Sequence, residues 1–291
     1  MEKNKPYTFA AGIVTFNPNI ERLKQNMEAI WQNDSIDYLI IIDNHSDNII
    51  DIQQLVGNNP AITLVCLSEN KGIAFALNKI CQRAMNMGYA WAITLDQDSV
   101  FERKAIDTFQ SFTQIKDVGI ICPRIEDRNL GTQYAKTSHG HEYIERCITS
   151  GNLVNLNSWQ AVGGYSEEMF IDGVDFDYCL KLQEAGYRIL RNNATCLTQE
   201  IGHGQKGYIL GHAFSILNHS PIRLYYMTRN YLYIGQKHSQ MRHWTIEVIK
   251  RIFIILKYEQ NRKEKMKYAF WGLQDFLRHK MGPIKHQSSI T

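Results

Sequence analysis

Residues 91–99 read Trp-Ala-Ile-Thr-Leu-Asp-Gln-Asp-Ser, an apolar run that stops at two carboxylates. Nothing from Trp91 to Leu95 alternates with a solvated side chain, so the run predicts a strand buried on both faces of a sheet. Asp96, Gln97 and Asp98 mark its carboxyl end, the edge at which open α/β sheets bind ligands. Two carboxylates aimed into one cleft about 4 Å apart repel by roughly 4 kcal/mol at an effective dielectric near 20, which calls for a cation beside them. Oxygen ligands on a turn suit magnesium or manganese, whose shells are completed by water and substrate phosphates. The competing reading is a solvated turn or a helix cap, since Ser99 and Glu102 have capping-box spacing.

Upstream, Phe9 to Phe16 is apolar and β-compatible, and Asn17-Pro18 breaks it. Ile20 to Trp31 predicts an amphipathic helix, and Tyr38 to Ile42 a second buried strand ending in Asp43-Asn44-His45-Ser46-Asp47. Asp43 can accept from a nucleobase N–H or close an Asx turn, and both readings stand. Ile62 to Leu67 predicts a third strand and Ile73 to Met87 the next helix. Between them, Asn70-Lys71-Gly72 offers free amides and a cation at a helix N-terminus, where a phosphate could sit. No Walker spacing follows. Strands alternating with helices predict a parallel sheet covered on both faces.

Downstream, Arg103 to Ile115 predicts a helix and Val118 to Cys122 a strand ended by Pro123. Arg124 to Gly151 is polar, with short alternating runs that read as hairpin strands mixed into the sheet. Asn157 to Ala161 reads as a short helix closed by Gly163-Gly164. A helix from about Phe176 to Ala185, capped by Gly186, gathers Asp172, Asp175 and Asp177 at or just before its N-terminus. Capping explains one acid of the three. An ionised carboxylate facing a cleft there can act as general base toward an incoming hydroxyl.

The chain has 291 residues and a net charge of +3, enough for one domain of about 200 to 250 residues with an appendage. The boundary is expected at 218/219, with a catalytic domain over 1–218 and a helical, basic extension over 219–291. So small a charge argues against a dedicated nucleic-acid binder. From Arg242 onward eleven Lys and Arg face four Asp and Glu, so the extension is basic and the body mildly acidic. Ile222 to Ile234, Trp244 to Tyr258 and Asn261 to Lys280 read as helices too short or too charged to span a bilayer. Their mixed basic and apolar residues suit a helix lying on an anionic membrane surface, or packing on the catalytic domain or on a second copy in a homodimer. The six cysteines lack metal-site spacing and read as reduced core residues. The polar N-terminus lacks a signal-peptide pattern, and a cytoplasmic location is expected.

Thr15-Phe16-Asn17, Asp43-Asn44-x-Ser46, Asn70-x-Gly72 with Asn78, Asp96-x-Asp98, Gly163-Gly164 and Asp172-x-x-Asp175-x-Asp177 together resemble a family-2 glycosyltransferase. The order and spacing extend from about Ala10 to Gly202. His219-Ser220-Pro221, Arg223, Tyr225-Tyr226 and Arg229-Asn230 resemble the bacterial rhamnosyltransferase branch. The resemblance implies a GT-A fold, a Rossmann-like nucleotide-binding mixed α/β sheet flanked by helices, with a helical C-terminal extension. It further implies an inverting enzyme that uses dTDP-L-rhamnose in O-antigen or capsule polysaccharide synthesis, with a glycan or lipid-linked acceptor. Asp43, Thr15 and Asn17 would sit at the base, Asn70 and Gly72 near the nucleotide, and Asp96 at the ribose or a metal-bound water. Asp98 would ligate magnesium or manganese, and Asp175 would be the general base, with Asp172 an acceptor contact. His219 and Arg223 could reach the diphosphate, although His219 can equally be a helix-entry residue before Pro221. The branch usually has a histidine where this chain has Gln199. The nearest imidazole is His203, which takes the metal-side role or is a solvated loop residue. Another UDP-, GDP- or dTDP-sugar, or a catalytically silent assembly partner on the same fold, remain the alternatives.

Overall fold

A computed structural model describes residues 8–127, 131–132, 140–199, 205–209, 212–216 and 218–285. The first half alternates as expected: β1 (Phe9–Thr15), α1 (Ile20–Ile30), β2 (Ile36–Asp43), α2 (Ile49–Val56), β3 (Ile62–Cys66), α3 (Ile73–Asn86) and β4 (Trp91–Asp96). Then come β5 (Val100–Phe101), β6 (Val118–Asp127), β7 (Gly131–Thr132), β8 (His141–Ile144), β9 (Asn152–Asn155), α4 (Leu156–Ala161), α5 (Val174–Glu184) and β10 (Arg188–Gln199). A separate hairpin of β11 (Gln205–Ile209) and β12 (His212–Ile216) precedes α6 (Pro221–Lys237), α7 (Met241–Tyr258) and α8 (Arg262–Leu277).

The main sheet runs β3-β2-β1-β4-β9-β6-β10-β5, with β7 on β6 and β8 on β10. β1 pairs in parallel with both β2 and β4, whereas β9 runs antiparallel to β4 and to β6. The chain leaves β1 toward β2 and β3 and returns to β4 on its other side, so the ends of β1 and β4 flank a topological switch point. Asp96 and Thr15 stand there. Side chains of alternate strand residues divide between two cores: Ala10, Val14, Ile40 and Ile42 pack under α3 and α5, and Phe9, Ala11, Ile13 and Leu39 under α1. This alternation explains why no strand in the centre shows a polar face.

Several expectations are corrected. The chain from Arg103 to Ile115 forms a 3₁₀ helix over Ile106–Phe112 instead of an α-helix. Thr108, Ser111 and Thr113 turn their hydroxyls back onto carbonyls three residues earlier, and Asp107 accepts from the amide and hydroxyl of Ser35. Such local bonds compete with the α-helical ladder. Pro123 does not end its strand, because β6 passes through it where the register of β10 jumps from Asn192 to Cys196. The missing N–H falls at that irregularity, where no ladder bond needs it. Helix α5 starts at Val174, earlier than the expected Phe176, and places Asp175 and Asp177 inside the first turn. Cys66 is exposed on the edge strand, whereas Cys81, Cys122, Cys179 and Cys196 are buried as expected.

Candidate active site

The loop after β4 is held from behind. The Asp96 amide donates to Ser150 Oγ (3.0 Å), and Asn26 Nδ2 donates to the Asp96 carbonyl (2.7 Å). Ser99 does not cap a helix: its hydroxyl pairs with Ser150 Oγ at 2.7 Å and donates to Gln199 Oε1 at 3.2 Å, and β5 follows. The capping reading of the acid turn therefore fails, and Asp96 and Asp98 are left half-buried at the cleft. Gln199, the residue that departs from the branch pattern, is buried directly behind the turn and supports it. His203 lies outside the described residues.

Asp96 records its neighbours electrostatically. Burial, then the negative charges of Asp98 and Asp175, push its carboxyl up to about 7, and Arg223 opposes them. Burial likewise pushes Asp175 up to about 6, with the Phe176 amide lowering it through a 2.9 Å bond and Asp172 raising it. Asp96, Asp98 and Asp175 thus share one cleft although the last is some eighty residues downstream, with α5 packed through Val174, Tyr178 and Leu182 into the core under α3. Asp172 is engaged by Arg223, whose Nε lies 3.2 and 3.3 Å from its two oxygens and whose second nitrogen closes the pair at 2.5 Å.

Asp172 and Phe170 have φ of 62° and 67°, left-handed values that non-glycine residues adopt at a cost of order 1–3 kcal/mol. Helix α6 holds them there. Asn230 Nδ2 donates to the carbonyls of Met169, Ile171 and Asp172, and the fully buried Arg229 donates to Met169 and Gly282. The C-terminal signature noticed in the sequence is thus the clamp on the acid-bearing loop.

His219 stands 3.4 Å from Arg223, Nδ1 to guanidinium. Burial and the charges of Arg223, Arg251 and Lys265 push its pKa down to about 3, so the ring is neutral. Arg251 and Lys265 were not among the residues singled out from the sequence. Helical phase could have found them, since each shares the spacing of its helix's buried residues, Trp244, Val248 and Ile255 in one case and Ala269 and Gly272 in the other. Tyr231 also escaped notice: it sits beside Asp175 and Asp172, and burial and those charges raise its hydroxyl pKa.

The loops after β1, β2 and β3 form the other wall. Thr15 Oγ1 donates to Asp43 Oδ1 (2.9 Å), and the Ser46 amide donates to Asp43 Oδ2 (2.9 Å). Asp43 therefore closes the loop after β2 by accepting from Ser46, three residues on, and from Thr15 across the sheet. Asn17 latches to Asp47 in both directions, and its amide donates to Ser46 Oγ. The expectation of free amides at Asn70-Lys71-Gly72 is overturned. The Lys71 amide donates to Asn44 Oδ1, that of Gly72 to Asn70 Oδ1 and that of Ile73 to the Phe170 carbonyl, because the helix start is packed onto the acid-bearing loop. Gly72, at φ 84°, has no room for a Cβ against Phe170.

Among the described residues no three His, Cys, Asp or Glu side chains converge as a metal site. Asp96 and Asp98 nevertheless fit magnesium or manganese, which take one or two carboxylates and leave the remaining positions to water and substrate phosphates. The raised pKa of Asp96 reflects its burial first and the neighbouring carboxylates second, and a cation there would favour the ionised form against both.

The model of glycosyl transferase family 2 matches residues 11–173. The dTDP-rhamnosyl transferase RfbF of Shigella flexneri is 26% identical over 92% of this chain and 95% of its own. Among solved structures, GalNAc-T7 with UDP, GalNAc and Mn2+ superposes with a TM-score of 0.62 at 12% identity, over 96% of this chain and 59% of that longer one. The mannosyltransferase PcManGT of Pyrobaculum calidifontis, with GDP-Man and Mn2+, superposes with a TM-score of 0.61 at 12% identity, over 96% of this chain and 89% of its own. These superpositions bear out the GT-A fold and its helical C-terminus. With more than half of its length matched, and with acids from β4 and α5 meeting at the switch point, the chain belongs to glycosyl transferase family 2.

Proposed function

We propose that this glycosyltransferase moves L-rhamnose from dTDP-L-rhamnose onto a hydroxyl of a glycan or lipid-linked acceptor in O-antigen or capsule synthesis, at the cytoplasmic side of the cell, inverting the anomeric configuration. The observation that carries the donor assignment is the likeness to RfbF along nearly the whole of both chains. Asp175 takes the proton of the acceptor hydroxyl as that oxygen attacks the anomeric carbon. The bond from that carbon to the diphosphate breaks, and dTDP leaves with both electrons. A carboxyl near pKa 6 is a stronger base than an ordinary one and is still ionised at neutral pH. Asp43, Thr15 and Asn17 border the base, Asn70 and Gly72 flank the nucleotide, and Asp96 faces the ribose. Arg223 and neutral His219 address the diphosphate while Asp172 fixes the guanidinium and borders the acceptor. Bound at Asp98, with His203 as the candidate second ligand and Asp96 at the ribose or a metal-bound water, magnesium or manganese would neutralise charge on the leaving diphosphate.

The test is nucleotide release from a panel of dTDP-, UDP- and GDP-sugars. Release from dTDP-L-rhamnose alone is expected. Release from a different sugar nucleotide alone replaces the donor, and release from none of them supports the silent assembly partner.

A further inference from the structure

Thirteen large apolar residues are exposed among the described residues, and eight of them fall between Met241 and Leu277. They are ordered by helical phase. On α7, Trp244, Val248 and Ile255 are buried, whereas Ile246, Ile249, Phe253 and Leu256 are exposed. At 100° per residue the two sets point about 140° apart, so the helix is apolar on both sides. On α8, Ala269 and Gly272 face inward, the glycine pressed on the backbone of α6 at Tyr225, while Phe270, Leu273 and Leu277 are exposed. Exposed contiguous apolar stripes of this kind mark an interaction surface.

The charges bordering the stripes identify the occupant. Lys250 and Lys257 edge the stripe of α7, and Lys263, Lys267 and Arg278 that of α8, all exposed. Of the extension's four acids, Glu259 is buried between Arg251 and Lys265 (2.5 and 2.7 Å), Asp275 is buried against the Tyr225 hydroxyl, Glu247 pairs with Lys250 at 2.8 Å, and Glu264 is exposed. The outer surface therefore keeps the basic surplus of the composition, carried on this face by Lys257, Lys263, Lys267 and Arg278. A second copy laid on this face would oppose lysine to lysine, whereas an anionic lipid surface offers acyl chains to the stripes and phosphates to the lysines, whose long stems reach around the apolar edge. No described helix is long and apolar enough to cross a membrane.

We propose that the outer faces of α7 and α8 dock this protein onto an anionic membrane surface, with Ile249, Phe253, Phe270 and Leu277 entering the interface and the flanking lysines contacting headgroups. The proposal does not depend on the donor or on the activity. It is tested by sedimenting the full chain with phosphatidylcholine vesicles, with and without one-third phosphatidylglycerol. Binding is expected only with the anionic lipid, weakening as salt screens the charges. Lys257→Gln with Lys263→Gln should lower the partition coefficient about fivefold per lysine. Ile249→Glu with Phe253→Glu should abolish binding, with the melting temperature and nucleotide release unchanged. Failure to sediment with anionic vesicles, equal binding to phosphatidylcholine alone, or full binding by the glutamate variant would overturn the proposal. So would a concentration-dependent dimer of the intact chain that the glutamate variant splits.

Discussion

The two walls of the cleft are built on opposite principles. On the wall formed after β1, β2 and β3, the polar groups satisfy one another: Asp43 accepts from Thr15 and Ser46, Asn17 is latched to Asp47, and the amides leading into α3 have protein acceptors. On the wall formed by the β4 turn, the acid-bearing loop and α6, like charges are crowded together. Asp96 is pushed up to about 7 by burial and two neighbouring carboxylates, and His219 down to about 3 by burial and three cations. The first arrangement is complete without a ligand and shapes a surface. The second is relieved by one, a cation among the acids, since Arg223 already meets Asp172 and Arg251 and Lys265 meet Glu259. Activity should therefore respond most to the second wall, and stability to the first.

The largest effect that would sharpen this contrast is expected at Asp175. Removal of a general base costs typically 10² to 10⁴ in rate, so Asp175→Asn should lower kcat by about that factor and leave the melting temperature and donor Kd near wild type. Near-normal turnover, with the selective loss appearing in Asp172→Asn or Asp177→Asn instead, would move the base elsewhere. Gly72→Ala comes next, because it strikes the joint between the walls: its positive φ and its contact with Phe170 predict a loss of about 2–4 kcal/mol, read by urea denaturation. A wild-type midpoint would show that the joint is slack. Asp43→Ala should cost about 2 kcal/mol by leaving the Ser46 amide and Thr15 hydroxyl without their acceptor. Asp96→Asn in metal-free buffer at pH 8 should hold or raise the melting temperature. If the two variants lose stability alike, the contrast breaks.

The smallest effect tests a third region, which belongs to neither wall. Asp177 is fully buried and accepts from Ser166 Oγ, Lys237 Nζ (2.7 Å) and His238 Nε2 (3.0 Å), and His238 also meets Glu184 at 2.7 Å. Burial alone would raise the Asp177 pKa, but His238 and Lys237 outweigh it and hold the carboxyl low; burial alone would lower that of His238, but both carboxylates raise it. The aspartate's contribution is thus present above its unfolded pKa of about 3.9 and lost as acid titrates it. That of the histidine is complete below about 6.5 and lost as pH rises through its higher folded value. The stability gap between wild type and His238→Gln, below about 1 kcal/mol, should be widest between pH 4 and 6.5 and close at higher pH. A gap that widens toward pH 9 would refute the pairing.

What was legible in the sequence was local. An uninterrupted apolar run before Asp96, a glycine-closed helix and an acid triplet each follow from neighbours a few residues apart. The illegible parts depend on distant partners. Helix α2 has eight residues of which two are buried, too few for a periodic signal. Antiparallel β9 is four residues long and derives its identity from Trp91 to Thr94. The amide of Lys71 looked available because its acceptor, Asn44, lies 27 residues back in the chain. Asp177 looked like a helix-start residue, and its partner His238 carries no spacing relation to it.

The clamp of Asn230 on Met169, Ile171 and Asp172 has a consequence in time. The acids are synthesised first, and the side chain that fixes their loop follows 58 residues after Asp172. A nascent or prematurely ended chain that stops between them possesses every carboxylate of the cleft without the groups that hold Phe170 and Asp172 at their strained angles. Full-length translation thus acts as a quality gate: an incomplete product carries the parts of the reaction centre in no working arrangement.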